Sequence, residues 1–127
     1  MNRAQIQAFL ERYGQALSTG DLPAIAASWA IPALVLSETG AMAVSTAIQV
    51  ESFFSQAVTW YHEQGIVATQ PQLEQVTPLG ERLAAVDVHW ASLDKSGVEQ
   101  ASERAHYILH QGDDGQPRIQ VALTRTA

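Results

Sequence analysis

The chain has 127 residues, of which 46% are hydrophobic, and this is the size and apolar content of one folded domain rather than of a disordered chain. Seven basic residues against thirteen acidic ones give a formal net charge of −6, which excludes a nucleic-acid surface built on phosphate contacts. The chain has no cysteine, so disulfides, thiolate nucleophiles and zinc–sulfur sites are excluded as well.

Two helices are predicted at the start of the chain. Apolar residues at three- and four-residue steps predict the first helix, and Gly20 suits the left-handed position just past its end. The apolar face of this helix consists of Ile6, Phe9, Leu10, Tyr13 and Leu17. Asp21 can cap a second, short helix, with Pro23 tolerated in its first turn and Pro32 closing it. Its apolar face consists of Leu22, Ile25, Ala26 and Trp29.

A hairpin and a long third helix follow. Segments 33–37 and 41–44 are predicted strands, because the Glu-Thr-Gly segment between them has the chemistry of a tight turn. Thr46 followed by Gln49 resembles a capping box, and Gly65 is a natural helix end. The broad apolar stripe of this helix consists of Val50, Phe53, Phe54, Ala57, Val58 and Tyr61.

The second half of the chain is predicted to consist of strands. The segments between them carry turn residues, and the strands cover 66–78, 82–93, 99–111 and 117–125. Pro71 indicates that the first of these strands is irregular or lies at a sheet edge. The short connections exclude parallel crossovers, so an antiparallel meander is expected. Helices first and strands last indicate an α+β domain with a concavity between the helices and a curved sheet.

The element order and one local motif resemble the nuclear transport factor 2-like superfamily. The motif is a tyrosine on the first helix, Tyr13, followed by the Ala16–Leu22 stretch ALSTGDL and then by Trp29. Members include steroid delta-isomerase, scytalone dehydratase and SnoaL-like polyketide cyclases. The resemblance implies one α+β domain over residues 1–127, with the cone-shaped, cystatin-like fold. In that fold three helices lie on the concave face of a curved, mostly antiparallel sheet.

The steroid delta-isomerase catalytic set is only partly present. That enzyme uses a tyrosine and a protonated carboxylic acid as oxyanion donors and an aspartate as base. Tyr13 matches the tyrosine, but Ser37 stands at the position of the base and Ala105 at that of the acid. Steroid isomerisation is therefore not expected, and Glu38, next to Ser37, is the neighbouring carboxylate.

Strand parity predicts which residues line the concavity. Strand 82–93 has apolar residues at the even positions 84, 86, 88 and 90, which are predicted to face the helices. Antiparallel pairing puts the odd positions of strand 99–111 on the same inner face. The predicted ligand-binding residues are Trp29, Val86, Val88, Trp90, Tyr107, Val121, Leu123 and Arg125, and the predicted catalytic residues are Tyr13, Glu103 and Glu38. An apolar lining with a few polar groups is typical of a small-molecule site.

Two of these assignments have structural alternatives. Tyr13 could bury its ring and bond a backbone carbonyl, and Glu103 could sit in solvent or pair with Arg125.

The histidines do not predict a metal site. His106 and His110 lie four residues apart on a strand, which separates them by about 13 Å and prevents joint chelation. His106 shares the outer face with Asp87 and Arg104, and Asp87 is expected to pair across strands with one of these two basic residues. In related families this outer face often forms a homodimer, so the resemblance implies a homodimer here.

Three functions are compatible with these features. The first is a cofactor-free isomerase, cyclase or dehydratase acting on an apolar carbonyl compound, in which Tyr13 donates to an enolate and Glu103 or Glu38 moves a proton. The second is a binding module for the same small apolar molecule without turnover, and the third is a dimeric accessory protein acting through the outer sheet face.

The sequence also predicts what the protein does not use. The lack of a glycine-rich phosphate loop argues against nucleotide chemistry, and no cofactor is expected. No apolar run approaches the roughly 20 residues of a membrane span, and the polar start lacks the apolar stretch of a signal peptide. We therefore expect no membrane partner and a cytoplasmic location.

Overall fold

The computed structural model describes the backbone of residues 1–125 and the side chains of residues 1–123. Within this part of the chain, three helices and six strands follow the predicted order and confirm the α+β class. The elements are α1 (Arg3–Thr19), α2 (Leu22–Ala27), β1 (Trp29–Ser37), β2 (Gly40–Val44), α3 (Ala47–Glu63), β3 (Ile66–Pro78), β4 (Leu83–Asp94), β5 (Glu99–Gln111) and β6 (Pro117–Arg125).

The described strands form one open sheet in the order β2-β1-β6-β5-β4-β3. Every neighbouring pair is antiparallel except β1 and β6, which run parallel. The meander of the last four strands is therefore confirmed. Pro71 lies in β3, which is an edge strand with two register shifts, as its lack of a backbone N–H predicts. No helix among residues 1–125 is long and apolar enough to cross a membrane.

Helix boundaries follow local capping chemistry. A capping box between Asn2 and Gln5 begins α1, and the predicted box between Thr46 and Gln49 begins α3. Gly20 ends α1 with a left-handed φ of 71°.

The end of α2 differs from the prediction. The helix ends at Ala27, so Trp29 is not on its apolar face and Pro32 does not close it; both residues belong to β1. The reason is long-range pairing, because Trp29 lies opposite Ile119 of β6, and local periodicity carries no information about that partner.

Close contact between α1 and β3 fixes the helix on the sheet. Ser18 Oγ donates to the carbonyl of Gly14 at 2.7 Å and accepts from the amide of Thr69 at 2.8 Å. A Cβ on Gly14 would lie 2.7 Å from the carbonyl oxygen of Thr69, so only glycine permits this approach. The fully buried side chains of the core are Ile6, Leu10, Ile25, Val86, Val88, Leu109 and Ile119.

A register shift in β6 changes which of its residues face inward. Ile119 pairs with Leu109, but the next partners are Val121 with Ile108. The extra residue in β6 turns Ala122 to the inner face and leaves Val121 on the outer face with Leu123. Strict alternation had predicted the opposite for Val121 and Leu123, so that prediction is wrong.

Candidate functional site

A cavity of about 280 Å³ lies between the inner face of the sheet, α1 and α3, with β2 at its side. Five residues predicted from the sequence line it together: Tyr13, Trp29, Trp90, Glu103 and Tyr107. They come from α1, β1, β4 and β5, so the fold brings them together from distant parts of the chain.

Two indole–phenol pairs form the deep aromatic wall. Trp29 Nε1 donates to the hydroxyl of Tyr13 at 3.2 Å, and Trp90 Nε1 donates to the hydroxyl of Tyr107 at 2.9 Å. Tyr13 and Trp90 also contact edge to face, with ring centroids 5.9 Å apart. Each tyrosine oxygen therefore accepts a hydrogen bond and keeps its own proton to donate.

Burial sets the protonation of the tyrosines. Desolvation raises the pKa of Tyr13 well above its ordinary value, and the nearby Tyr107 adds to the effect. Desolvation likewise raises the pKa of Tyr107, against the lowering effect of the hydrogen bond from Trp90. Both hydroxyls are neutral donors near neutral pH.

Glu103 is the carboxyl group of the cavity. It stands opposite Trp90 on the inner face, and partial burial raises the pKa of its side chain. The pKa of Tyr61 on α3 is also raised, first by burial and then by the charge of Glu103. Glu103 and Tyr61 therefore line the same cavity, Glu103 from β5 and Tyr61 from α3.

Several predicted residues lie elsewhere. Glu38 is exposed in the turn between β1 and β2, so the prediction that it serves the cavity is wrong. Val86 and Val88 are fully buried in the hydrophobic core and do not line the cavity. Val121 and Leu123 face outward because of the shift in β6, and Ala122 takes the inner position. The side chain of Arg125 lies outside the described residues.

Sequence reasoning missed the part of the wall that α3 and β2 provide. The sequence predicts the apolar stripe of α3, but nothing in its pattern distinguishes core packing from a cavity wall. The α3 residues at the cavity are Gln49, Val50, Phe53, Phe54, Ala57 and Tyr61, and β2 adds Met42 and Val44. The wall at β3 and β4 includes Thr69 and Ser92, which lie opposite each other in the sheet. Ser92 lies at an even position of β4, as Trp90 does, so strand alternation by itself predicts that Ser92 faces inward.

The outer face of the sheet carries polar cross-strand pairs. Asp87 bonds His106 at 2.6 Å, which confirms the expected pairing across β4 and β5. Arg104 lies 3.3 Å from Glu74, and His89 lies 3.5 Å from Glu99. Within residues 1–123 no group of three potential ligands could hold a metal ion.

Comparisons with known proteins identify the fold. A family model described as NTF2-like protein (DUF6841) matches residues 3–127. The comparison with curated proteins gives no match.

Solved structures with similar folds cover nearly the whole chain. A domain of unknown function with a cystatin-like fold from Nostoc punctiforme is 19% identical, over 100% of this chain and 80% of that chain, with a TM-score of 0.75. An NTF-2 like protein of unknown function from Shewanella oneidensis is 13% identical, over 98% of each chain, with a TM-score of 0.73. A ketosteroid isomerase-like protein from Erwinia carotovora atroseptica is 16% identical, over 98% of this chain and 96% of that chain, with a TM-score of 0.69. At these identities the likeness concerns the fold alone.

Proposed function

The chain belongs to the NTF2-like family described as DUF6841, and from this premise we propose that its cavity binds a small, mostly apolar molecule that carries a carbonyl group. The observation that carries the proposal is the pair of buried tyrosine hydroxyls, Tyr13 and Tyr107, each oriented by an indole N–H. A carbonyl oxygen is the neutral acceptor that two such donors would bind.

The indole partners support a donor role for the tyrosines. Because the oxygen of each hydroxyl already accepts from Trp29 or Trp90, its remaining capacity is mainly that of a donor. Their raised pKa values keep both protons in place at neutral pH. A buried donor without an acceptor is unfavourable, so a ligand oxygen would be stabilised here.

The size and the walls of the cavity indicate what the ligand carries besides its carbonyl group. A volume of about 280 Å³ is just below the roughly 300–1,000 Å³ typical of ligand sites, which indicates a compact molecule of one or two rings. Phe54 and Val50 of α3 and Ala122 of β6 offer apolar contacts to such a skeleton.

The bicyclic ketone 1-tetralone and its parent hydrocarbon tetralin test the proposal as a matched pair. Ligand-observed NMR titration of the purified protein should give tighter binding of 1-tetralone. Tyr13→Phe and Tyr107→Phe should each weaken the binding of 1-tetralone by about threefold to tenfold, the effect of losing one neutral hydrogen bond. The affinity for tetralin should stay unchanged. Equal affinities of the two probes, or no binding of either, would contradict the proposal.

Proton transfer is the second candidate function, and Glu103 is the observation that favours it. Its carboxyl lines the cavity with a raised pKa, which makes its ionised form a stronger base than an ordinary glutamate. In this proposal Glu103 takes a proton from the carbon next to the ligand carbonyl, and the tyrosine hydroxyls stabilise the enolate oxygen. The same carboxyl then returns a proton to carbon.

Isotope exchange tests this step without knowledge of the natural substrate. In D₂O, Glu103 would exchange hydrogen for deuterium at C2 of 1-tetralone, which proton NMR follows as loss of the C2 signal. Glu103→Gln should abolish the protein-dependent rate, whereas Glu38→Gln, at the exposed turn, should keep it. A rate that survives Glu103→Gln would rule out Glu103 as the base and leave a binding module.

We also propose that the outer sheet face forms a homodimer. Val121 and Leu123 lie there beside Ile108, so an apolar strip accompanies the polar pairs of that face. Sedimentation equilibrium should give a dimer for the wild type and a monomer for Val121→Glu. Val98→Glu, in the exposed turn between β4 and β5, is the matched control and should remain dimeric. A monomeric wild type would refute this interface.

A further inference from the structure

One polar atom of the cavity has no partner. Thr69 is 6% exposed, it lines the cavity, and within residues 1–123 its Oγ1 is the buried side-chain polar atom that makes no hydrogen bond. Its backbone is held in place, since its amide donates to Ser18 Oγ at 2.8 Å. No protein group bonds the hydroxyl, which is itself covered in this conformation, so a turn about the Cα–Cβ bond of Thr69 can bring it to the cavity without the loss of a hydrogen bond.

A second hydroxyl lies beside it. Ser92 of β4 is the register partner of Thr69 on β3, and it is also buried and lines the cavity. Adjacent strands lie about 4.8 Å apart, so one bound atom could contact both hydroxyls. An unpartnered buried hydroxyl costs free energy, and a ligand group that bonds it would recover that cost.

We propose that Thr69 and Ser92 form a second polar subsite that binds a hydroxyl group of the ligand. This inference rests on the proposed binding function and specifies its ligand class further. The molecule would carry a carbonyl toward Tyr13 and Tyr107 and a hydroxyl toward Thr69 and Ser92, with an apolar skeleton between them.

The surrounding groups favour a neutral hydroxyl over a charged group. Threonine and serine both donate and accept, and a ligand hydroxyl does the same, so the three can bond one another. Ser92 pairs with Ala101 of β5, and Glu103 is the next inward-facing residue along that strand. Its carboxylate would repel an anion. The described wall at Thr69 and Ser92 provides no lysine or arginine for an anion.

Hydroxylated tetralones test the subsite against 1-tetralone. The probes are 5-, 6- and 7-hydroxy-1-tetralone, which place one hydroxyl at different positions on the aromatic ring. At least one isomer should bind the wild type about threefold to tenfold more tightly than 1-tetralone. Thr69→Val should remove that gain, so that the hydroxylated isomer and 1-tetralone bind the variant with equal affinity. Thr77→Val, at an exposed position of the same strand, is the matched control and should keep the gain.

The stability of the ligand-free protein gives an independent readout. Because Thr69 Oγ1 has no hydrogen-bond partner, Thr69→Val should leave the urea concentration at the midpoint of unfolding unchanged or raise it. A lower midpoint would mean that the hydroxyl is bonded within the protein and would overturn the subsite.

The binding outcomes separate the two proposals. If 1-tetralone binds but no hydroxylated isomer binds more tightly, or if Thr69→Val keeps the gain, the subsite is refuted and the binding function stands. If none of the four ketones binds, the binding function fails and the subsite fails with it.

Discussion

The two long helices have the same length and opposite roles in packing. Each has 17 residues and begins with a capping box, and each carries an apolar stripe. Helix α1 buries seven residues: Ile6, Phe9, Leu10, Tyr13, Gly14, Ala16 and Leu17. Helix α3 buries only Val50, and Phe53 is 54% exposed.

The difference shows that an apolar stripe does not by itself define a core. The α1 stripe packs on the sheet, and its burial stabilises the fold. Much of the α3 stripe faces the cavity, so its apolar surface is available to a ligand instead. We infer that α1 mainly stabilises the fold and that α3 mainly contributes to binding. Three measurements test this difference between the helices, and a fourth tests the burial of the cavity carboxyl.

Matched isoleucine substitutions should give the largest contrast. Ile6 in the first turns of α1 is fully buried, whereas Ile48 at the start of α3 is 73% exposed. Ile6→Ala should lower the free energy of unfolding by about 2–5 kcal/mol through lost burial and a cavity, and Ile48→Ala should change it by less than about 0.5 kcal/mol. Urea unfolding measures both. Equal losses would remove the distinction between the helices.

The contact between α1 and β3 should tolerate no added methyl group. Gly14→Ala would push a Cβ to 2.7 Å from the Thr69 carbonyl oxygen, and overpacking of this kind costs about 1–3 kcal/mol. Gly80→Ala is the control, because a Cβ there meets no atom within 4 Å. A Gly14→Ala protein as stable as Gly80→Ala would show that α1 can move away from β3 without cost.

Amide hydrogen exchange should show a difference in local stability between the two helices of the wild-type protein. Amides in the middle of α3 should exchange roughly tenfold faster than those of α1, a difference of about 1.4 kcal/mol in opening free energy, because few buried contacts hold α3 in place. Saturating 1-tetralone should slow exchange in α3 more than in α1. Equal protection in the free protein would contradict a loosely packed α3.

The smallest effect is a pH dependence that originates at Glu103. Burial raises the pKa of its carboxyl in the folded state above the ordinary value of 4.5. The folded protein therefore holds this proton to higher pH than the unfolded chain does, and the related stability is present below pH 4.5 and lost as pH rises through the raised pKa.

Glu103→Gln removes this titration. Relative to wild type, the variant should gain stability in urea unfolding as the pH rises above 4.5, the ordinary pKa of the carboxyl. Glu81→Gln, an exposed residue in the turn between β3 and β4, should follow the wild type across the same range. If the stability of Glu103→Gln also followed that of the wild type, the carboxyl of Glu103 would be solvated in the folded wild-type protein.

Local chemistry made much of the fold predictable from the sequence. Capping boxes and left-handed glycines depend on residues a few positions apart, so Gly20 and the Thr46–Gln49 pair marked helix ends correctly. Strand alternation is equally local, and it predicts the shared inner face of Trp90, Glu103 and Tyr107 that the structure has.

Only the tertiary structure decided where those faces meet and what lies between them. The parallel pairing of β1 with β6 moved Trp29 from a helix to a strand, and one extra residue in β6 exchanged Val121 for Ala122 at the inner face. The separation of α3 from the sheet and the unpartnered hydroxyl of Thr69 likewise cannot be predicted from the sequence pattern. Side-chain periodicity fixes the face of an element, whereas register and packing depend on partners far along the chain.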